Sequence, residues 1–164
     1  MRTLLLCVLA LCSHVMSMTA QVTGRIEYPY RADYEDQLVL PIGDKGLVIQ
    51  SFAKDSKAGK RYFKTEFYST MMNPVSTDSM LIDKGMYYYS NIVDNGVLYT
   101  VLRESDGTFM IVAFNATTHK ITVTDGEYTR KGTMRNLIIS NDNVVFSSTQ
   151  KKIDRIGIIN LKTG

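Results

Sequence analysis

A strand pattern that recurs at intervals of 46 to 50 residues is the feature that most constrains the fold of this chain. Runs rich in Val, Ile, Thr, Tyr and Phe alternate with short turn segments, and this pattern is typical of β-strands. One type of strand begins after a turn at positions 46, 96 and 143, and a second type begins at positions 61, 109 and 155. Because two independent strands keep the same period, the sequence predicts a repeated structural unit of about 48 residues.

The clearest unit spans residues 96–142 and is predicted to contain four antiparallel strands. A turn at 104–107 joins the first two strands as a hairpin, and alternating apolar residues mark the third. The predicted strands of this unit lie at 96–102, 108–114, 120–124 and 133–140. Segments 86–90 and 37–40 are predicted to be the fourth strands of the preceding units. The mature sequence sustains no helical apolar stripe, so we predict an all-β fold.

This organisation resembles the blades of a β-propeller, and in particular the blade-repeat domains of bacterial secreted proteins with no assigned function. The resemblance covers residues 37–164 and rests on the repeat alone, since a chain without Trp lacks the Trp-Asp signature of one propeller family. A propeller closes with about 4 to 8 blades, whereas this sequence holds two nearly complete units and part of a third. The resemblance therefore implies an incomplete β-propeller, and we expect the natural protein to continue past Gly164. The alternative is a small open or sandwiched sheet.

The first 20 residues have the pattern of a secretory signal peptide. Arg2 precedes an apolar run at 4–12, and small residues follow up to a predicted cleavage site after Ala20. The run is shorter than the roughly 20 residues that a membrane-spanning helix needs, so we predict export without a transmembrane segment. A buried element and acylation of Cys12 are the alternatives. A leading segment at 21–36 and a β-repeat domain at 37–164, truncated at its C-terminal end, complete the predicted organisation.

Both cysteines, Cys7 and Cys12, lie within the predicted signal peptide, so the mature chain has no thiol. It can therefore form neither a disulfide nor a thiolate metal site. A secreted eukaryotic domain of this size usually carries disulfides, which favours the bacterial periplasm, cell surface or extracellular space. The formal net charge is +3, and basic and acidic residues are interleaved, so we predict no nucleic-acid partner.

The predicted mature chain contains few residues suited to catalysis. His119, its one histidine, falls in a predicted turn, and no Gly-x-Ser-x-Gly motif provides a serine nucleophile. One histidine and dispersed carboxylates do not make a zinc site. The Asp and Asn residues at 94–95 and 141–143 suit tight turns and lack the spacing of an EF-hand calcium loop. We predict no catalytic residue, no metal site and no cofactor, which favours a chain without enzymatic activity of its own.

The consecutive tyrosines Tyr87, Tyr88 and Tyr89 are the candidate ligand-binding residues. Tyrosine rings stack on sugars and anchor protein interfaces, although ordinary sheet packing also uses tyrosine and places two of three consecutive rings on one face. We therefore expect an exported binding or scaffolding module that recognises a glycan, a peptide or an envelope protein through the loops or face of the propeller-like domain. The alternative is the N-terminal propeller part of a secreted hydrolase or lyase whose catalytic residues lie beyond residue 164.

Overall fold

The computed structural model describes residues 32–55, 57–127, 133–140, 142–150 and 152–161. Within these ranges the chain forms eleven β-strands and one turn of 3-10 helix at Gly43–Lys45, with no α-helix, so the prediction of an all-β fold is confirmed. The strands are β1 Tyr34–Pro41, β2 Leu47–Ala53, β3 Lys60–Tyr68, β4 Pro74–Asp83, β5 Tyr87–Asp94, β6 Val97–Arg103, β7 Thr108–Asn115, β8 Lys120–Glu127, β9 Thr133–Ser140, β10 Asn143–Gln150 and β11 Ile153–Asn160. The predicted signal peptide at 1–20 and the leading segment up to residue 31 lie outside the described residues.

The strands form three antiparallel sheets, and the strands of each sheet follow one another along the chain. Sheet 1 contains β1–β4, sheet 2 contains β5–β8, and sheet 3 contains β9–β11 in the described part of the chain. Tight turns allow this meander: Asn95 and Gly96, between β5 and β6, both have positive φ, a conformation that these two residue types tolerate. Within the described ranges, none of the three sheets closes on itself.

The predicted boundary between the repeated units is wrong by one strand. The segment predicted to end the 96–142 unit, Thr133–Ser140, pairs with β10 and belongs to sheet 3 rather than to sheet 2. It begins its sheet, as Tyr87–Asp94 begins sheet 2 and Tyr34–Pro41 begins sheet 1. The spacing of a repeat is the same wherever a unit is taken to start, so the period alone could not place this boundary.

One strand, β4, was not predicted from the sequence. It pairs with β3 along the outer edge of sheet 1. Half of its residues are Ser, Thr or Asp, and Ile82 is its one buried side chain, so it lacks the apolar alternation that identifies a half-buried strand. β8 likewise extends past its predicted end at residue 124, because its pairing with β7 continues until Glu127 lies opposite Thr108.

Sheet 2 lies between sheets 1 and 3 and buries side chains on both of its faces. Leu98, Thr100 and Leu102 of β6 face sheet 1. Tyr99 and Val101 of the same strand face sheet 3. Successive side chains of a strand point to opposite faces of its sheet, so covering both faces buries all five of these consecutive residues. This explains why the strand has a nearly continuous apolar sequence rather than an alternating one.

Two apolar clusters join sheet 1 to sheet 2, and a third joins sheet 2 to sheet 3. Their buried members are Leu40, Ile42, Val48, Phe67, Leu98, Phe114 and Ala116 in the first cluster, Phe52, Phe63, Ile82, Met86, Leu102 and Val112 in the second, and Tyr99, Val101, Phe109, Ile111, Ile139, Val144 and Phe146 in the third. Between the first two clusters, the hydroxyl of Thr100 donates a hydrogen bond of 2.9 Å to Oε1 of the buried Gln50. A shifted alignment of the two sheets would leave this buried oxygen unpaired, so the contact favours one alignment.

Arg61 of β3 connects sheet 1 to the beginning of sheet 2. Its guanidinium donates to Oε1 of Glu35 at 2.7 Å and to the backbone oxygen of Met86. The same group lies 4.2 Å from the centroid of the Phe52 ring. The residue is 8% exposed, and these contacts offset the cost of removing its charge from water.

Two phenylalanines pack over glycines at the interface of sheets 2 and 3. The Phe109 ring covers Gly126, which lies directly opposite it on β8, and the Phe146 ring covers Gly157 of β11 in the same way. The two rings meet edge to face with 5.6 Å between their centroids. A side chain at either glycine would occupy the space of the ring, so packing rather than a positive φ requires glycine at both positions.

We predict that Gly126→Ala lowers the free energy of unfolding by about 1–3 kcal/mol, because the new methyl group displaces the Phe109 ring from the interface. Chemical denaturation checks this value. The double variant with Phe109→Leu should lose less than the sum of the two single variants, since a smaller side chain leaves room for the methyl group. Thr122→Ala, on the same strand and exposed, is the control and should change stability by less than about 0.5 kcal/mol. Additive effects of the two substitutions would contradict the proposed packing.

Candidate functional site

Two of the three predicted tyrosines form a cluster with an arginine at one end of sheet 2. Tyr87 lies opposite Arg103 on the neighbouring strand, and Nε of Arg103 donates a 2.7 Å hydrogen bond to the Tyr87 hydroxyl. The central guanidinium carbon lies 5.3 Å from the centroid of the Tyr87 ring and 4.5 Å from that of the Tyr89 ring. The arginine therefore contacts both rings, and we name these three residues the tyrosine–arginine cluster.

Tyr88, the third predicted residue, lies on the other face of the sheet. It packs against the apolar cluster between sheets 1 and 2, whereas Tyr89 packs against the cluster between sheets 2 and 3. The Tyr88 hydroxyl donates to Oδ1 of Asn91, and partial burial raises the pKa of this phenol above its ordinary value. The structure thus brings Tyr87 and Tyr89 together and assigns Tyr88 a packing role.

The sequence pattern did not identify Arg103 as a site residue, although the β5–β6 hairpin places it opposite the tyrosine segment. Counting outward from the two-residue turn at Asn95 and Gly96 would place Tyr88 opposite Arg103. A β-bulge between Tyr88 and Ser90 shifts the register by one residue, so that Tyr87 takes that place. Bulges redirect side chains in this way and have no reliable sequence signature here.

Acidic groups lie on the turns at the start of β5 and the end of β6. The Glu104 carboxylate approaches Gly85 so closely that a Cβ at Gly85 would lie 2.9 Å from Oε1 of Glu104. Desolvation raises the pKa of Glu104, Asp106 and Asp83 raise it further, and Lys60 opposes them. Lys60 also forms a 2.7 Å ion pair with Asp83. Glu104 therefore lies among charged groups of sheet 1, Asp83 and Lys60.

A cleft of about 510 Å³ lies on the sheet 3 side of β8, and we name it the β8 cleft. Its lining combines polar residues with the apolar residues Val97, Ala113 and Leu161, the polar ones including Tyr99, Thr118, Lys120, Thr122, Thr124 and Asp142. The alternation of β8 explains this character. Ile121 packs toward sheet 1, so its neighbours Lys120 and Thr122 point toward sheet 3. The cleft therefore presents hydroxyl groups, the Lys120 ammonium and the Asp142 carboxylate, all of which form hydrogen bonds.

His119 lies in the turn between β7 and β8, as expected from the sequence. Its side chain is exposed, its ring centroid lies 5.4 Å from that of Phe67, and its backbone N–H donates to the carbonyl of Asn115. Within the described ranges, no three carboxylate, imidazole or thiol side chains come close enough together to hold a metal ion. The part of the chain described here also contains no helix with the length and apolar character to cross a bilayer.

Comparison of the chain with known proteins gives no match to a protein-family model, to a curated protein or to a solved structure. The function therefore has to be inferred from the geometry of the chain itself.

We predict that the Tyr88 phenol of the folded chain ionises above the usual pKa of about 10 and that Tyr88→Phe removes this component of the titration. Because the folded state holds the Tyr88 proton more tightly than the unfolded state, stability should fall as the pH rises above about 10. Titration of tyrosine absorbance checks the first statement, and denaturation across the same pH range checks the second. Tyr62→Phe, at a half-exposed position, is the control. The assignment would be refuted if the absorbance component that titrates above the usual tyrosine pKa remained in Tyr88→Phe.

Proposed function

We propose that the three sheets are consecutive blades of an incomplete β-propeller and that the domain is an exported binding or scaffolding module. Each sheet is an antiparallel meander, and the sheets stack face to face in chain order. The first strands of sheets 2 and 3, β5 and β9, contact each other. Radial arrangement of blades around a central channel brings equivalent strands of neighbouring blades together in this manner, which supports the propeller.

Export to the periplasm, the cell surface or the extracellular space is part of this proposal. It is supported by the signal pattern at 1–20 and by a mature sequence without cysteine. A binding or scaffolding role is consistent with the tyrosine–arginine cluster and the β8 cleft, where polar and aromatic groups converge at the described surface.

The tyrosine–arginine cluster is the observation that carries the binding proposal. Tyrosine and arginine are the residue types that most often dominate binding energy at protein surfaces. Tyr87 is 38% exposed, so its ring is accessible, while the contacts with both rings restrain Arg103. A side chain that is already held in place loses less conformational entropy when a ligand binds.

The chemistry of the cluster favours a glycan as the ligand. The flat face of a tyrosine ring packs on the apolar face of a sugar. The guanidinium has five N–H donors, and the Tyr87 hydroxyl accepts one of them, so others can donate to sugar hydroxyl or carboxylate oxygens.

We predict that Tyr87→Ala weakens glycan binding by about tenfold or more, because loss of a central aromatic contact costs at least 1–2 kcal/mol. The measurement is calorimetric titration with a panel of soluble neutral and uronic-acid-containing oligosaccharides. Arg103→Lys should also weaken binding, since lysine keeps the charge but loses the planar group of donors.

Tyr62→Ala is the matched control, because this tyrosine of sheet 1 is 50% exposed and lies outside the cluster. Its affinity for each oligosaccharide should equal that of the unmodified chain, and the thermal midpoints of all variants should be compared to exclude unfolding. Equal losses in Tyr62→Ala and Tyr87→Ala, or binding of peptides but of no glycan, would contradict the proposal.

A further inference from the structure

A layer of polar side chains crosses the interface between sheets 1 and 2, and we name its three residues the polar layer. They are Gln50 of β2, Thr65 of β3 and Thr100 of β6, which are 1%, 2% and 0% exposed. Each lies two residues from an apolar member of both clusters that join these sheets, so it points into the interface as they do. The flanking apolar residues are Val48 and Phe52 on β2, Phe63 and Phe67 on β3, and Leu98 and Leu102 on β6.

The hydrogen bonds of the polar layer are incomplete. In the described part of the chain, Nε2 of Gln50 and Oγ1 of Thr65 have no hydrogen-bond partner. These two residues lie directly opposite each other on β2 and β3, where paired residues have Cβ atoms about 4.5–5.5 Å apart. Thr100 donates its hydroxyl proton to Oε1 of Gln50 at 2.9 Å, and its own oxygen keeps lone pairs that can accept. Three polar atoms are therefore available for further hydrogen bonds at one buried place.

The residues on either side of the layer in sheet 1 do not pair with these atoms. Leu38, opposite Gln50 on β1, is apolar. Asp78, opposite Thr65 on β4, is exposed, and its carboxylate accepts the backbone N–H of Ser79. Burial of an amide or hydroxyl group without a hydrogen bond is unfavourable, so two such groups on paired residues point to a shared partner.

We propose that one internal water molecule binds in the polar layer. It accepts a hydrogen bond from Nε2 of Gln50 and donates to Oγ1 of Thr65 and to Oγ1 of Thr100. A buried water needs two to four polar partners, and this site supplies three. Its three side chains are uncharged, whereas Lys64 and Glu66 form an ion pair on the opposite face of β3. An ion would therefore lack a balancing charge, and a cation could not accept the N–H of Gln50.

The bound water joins strands of both sheets. The direct hydrogen bond between Thr100 and Gln50 links β6 to β2, and the water extends this link to Thr65 of β3. Polar groups within an apolar interface are satisfied in only one arrangement, so the hydrated layer holds the two sheets in a single alignment. This site lies inside the domain and does not depend on the proposed glycan binding.

Thr65→Val tests the site by the direction of its effect, because valine keeps the shape of threonine and removes the hydroxyl group. Loss of an acceptor for the bound water should raise the equilibrium constant for unfolding, measured in urea, about five- to tenfold. If the hydroxyl has no partner, valine instead removes an unpaired buried group, and the constant should stay unchanged or fall. That result would overturn the proposal. Thr77→Val, at an exposed position of β4, is the control and should change the constant less than about twofold.

NMR gives a second test on the unmodified chain, which no substitution can unfold. A long-lived water should give cross-peaks of opposite sign in NOESY and ROESY spectra between the water resonance and the side-chain amide protons of Gln50. Oxygen-17 relaxation dispersion, which does not detect threonine hydroxyl groups, should count one long-lived water fewer in Thr65→Val than in Thr77→Val. Absence of the Gln50 cross-peaks, or equal water counts in the two variants, would contradict the proposal.

Discussion

Sheet 2 must bury both of its faces, and the rest of the structure depends on this constraint. Its central strand β6 has five consecutive buried residues, and they point alternately to sheet 1 and to sheet 3. Such a strand is stable only when both neighbouring layers are present, since loss of either layer would expose one apolar face to water. Thr100, the polar member of this run, is accommodated because Gln50 of sheet 1 accepts its hydrogen bond.

The same layered packing fixes the positions of the tyrosine–arginine cluster and of the β8 cleft. Along β6, Tyr99 borders the β8 cleft, Val101 belongs to the core between sheets 2 and 3, and Arg103 belongs to the tyrosine–arginine cluster. The two regions therefore lie at opposite ends of one interface, with Val101 and its cross-strand partner Ile111 buried between them. A rigid centre with polar and aromatic groups at its margins suits recognition of ligands, because little has to be ordered when they bind.

Local pattern predicted the strands, but it could not predict how they divide into sheets. β2, β6 and β10 were recognised from turn residues followed by Val, Ile and Phe, whereas β4 was missed because half of its residues are polar and its apolar residues do not alternate. Thr133–Ser140 was placed in the wrong unit, since hydrogen bonding between strands leaves no mark on the spacing of a repeat. The site was predicted in part, because Tyr87 and Tyr89 both contact Arg103. Tyr88 does not contact it, because a β-bulge shifts the pairing of β5 with β6 by one residue.

Native-state hydrogen exchange tests the central role of sheet 2 most directly, because it reports the free energy of opening at each amide. If both faces of sheet 2 hold the layers together, the amides of β6 and β7 should exchange most slowly and only through global unfolding. Amides of β4, at the edge of sheet 1, should exchange faster through local opening. Greater protection in β2 and β3 than in β6 and β7, with sheet 2 opening independently, would contradict this account.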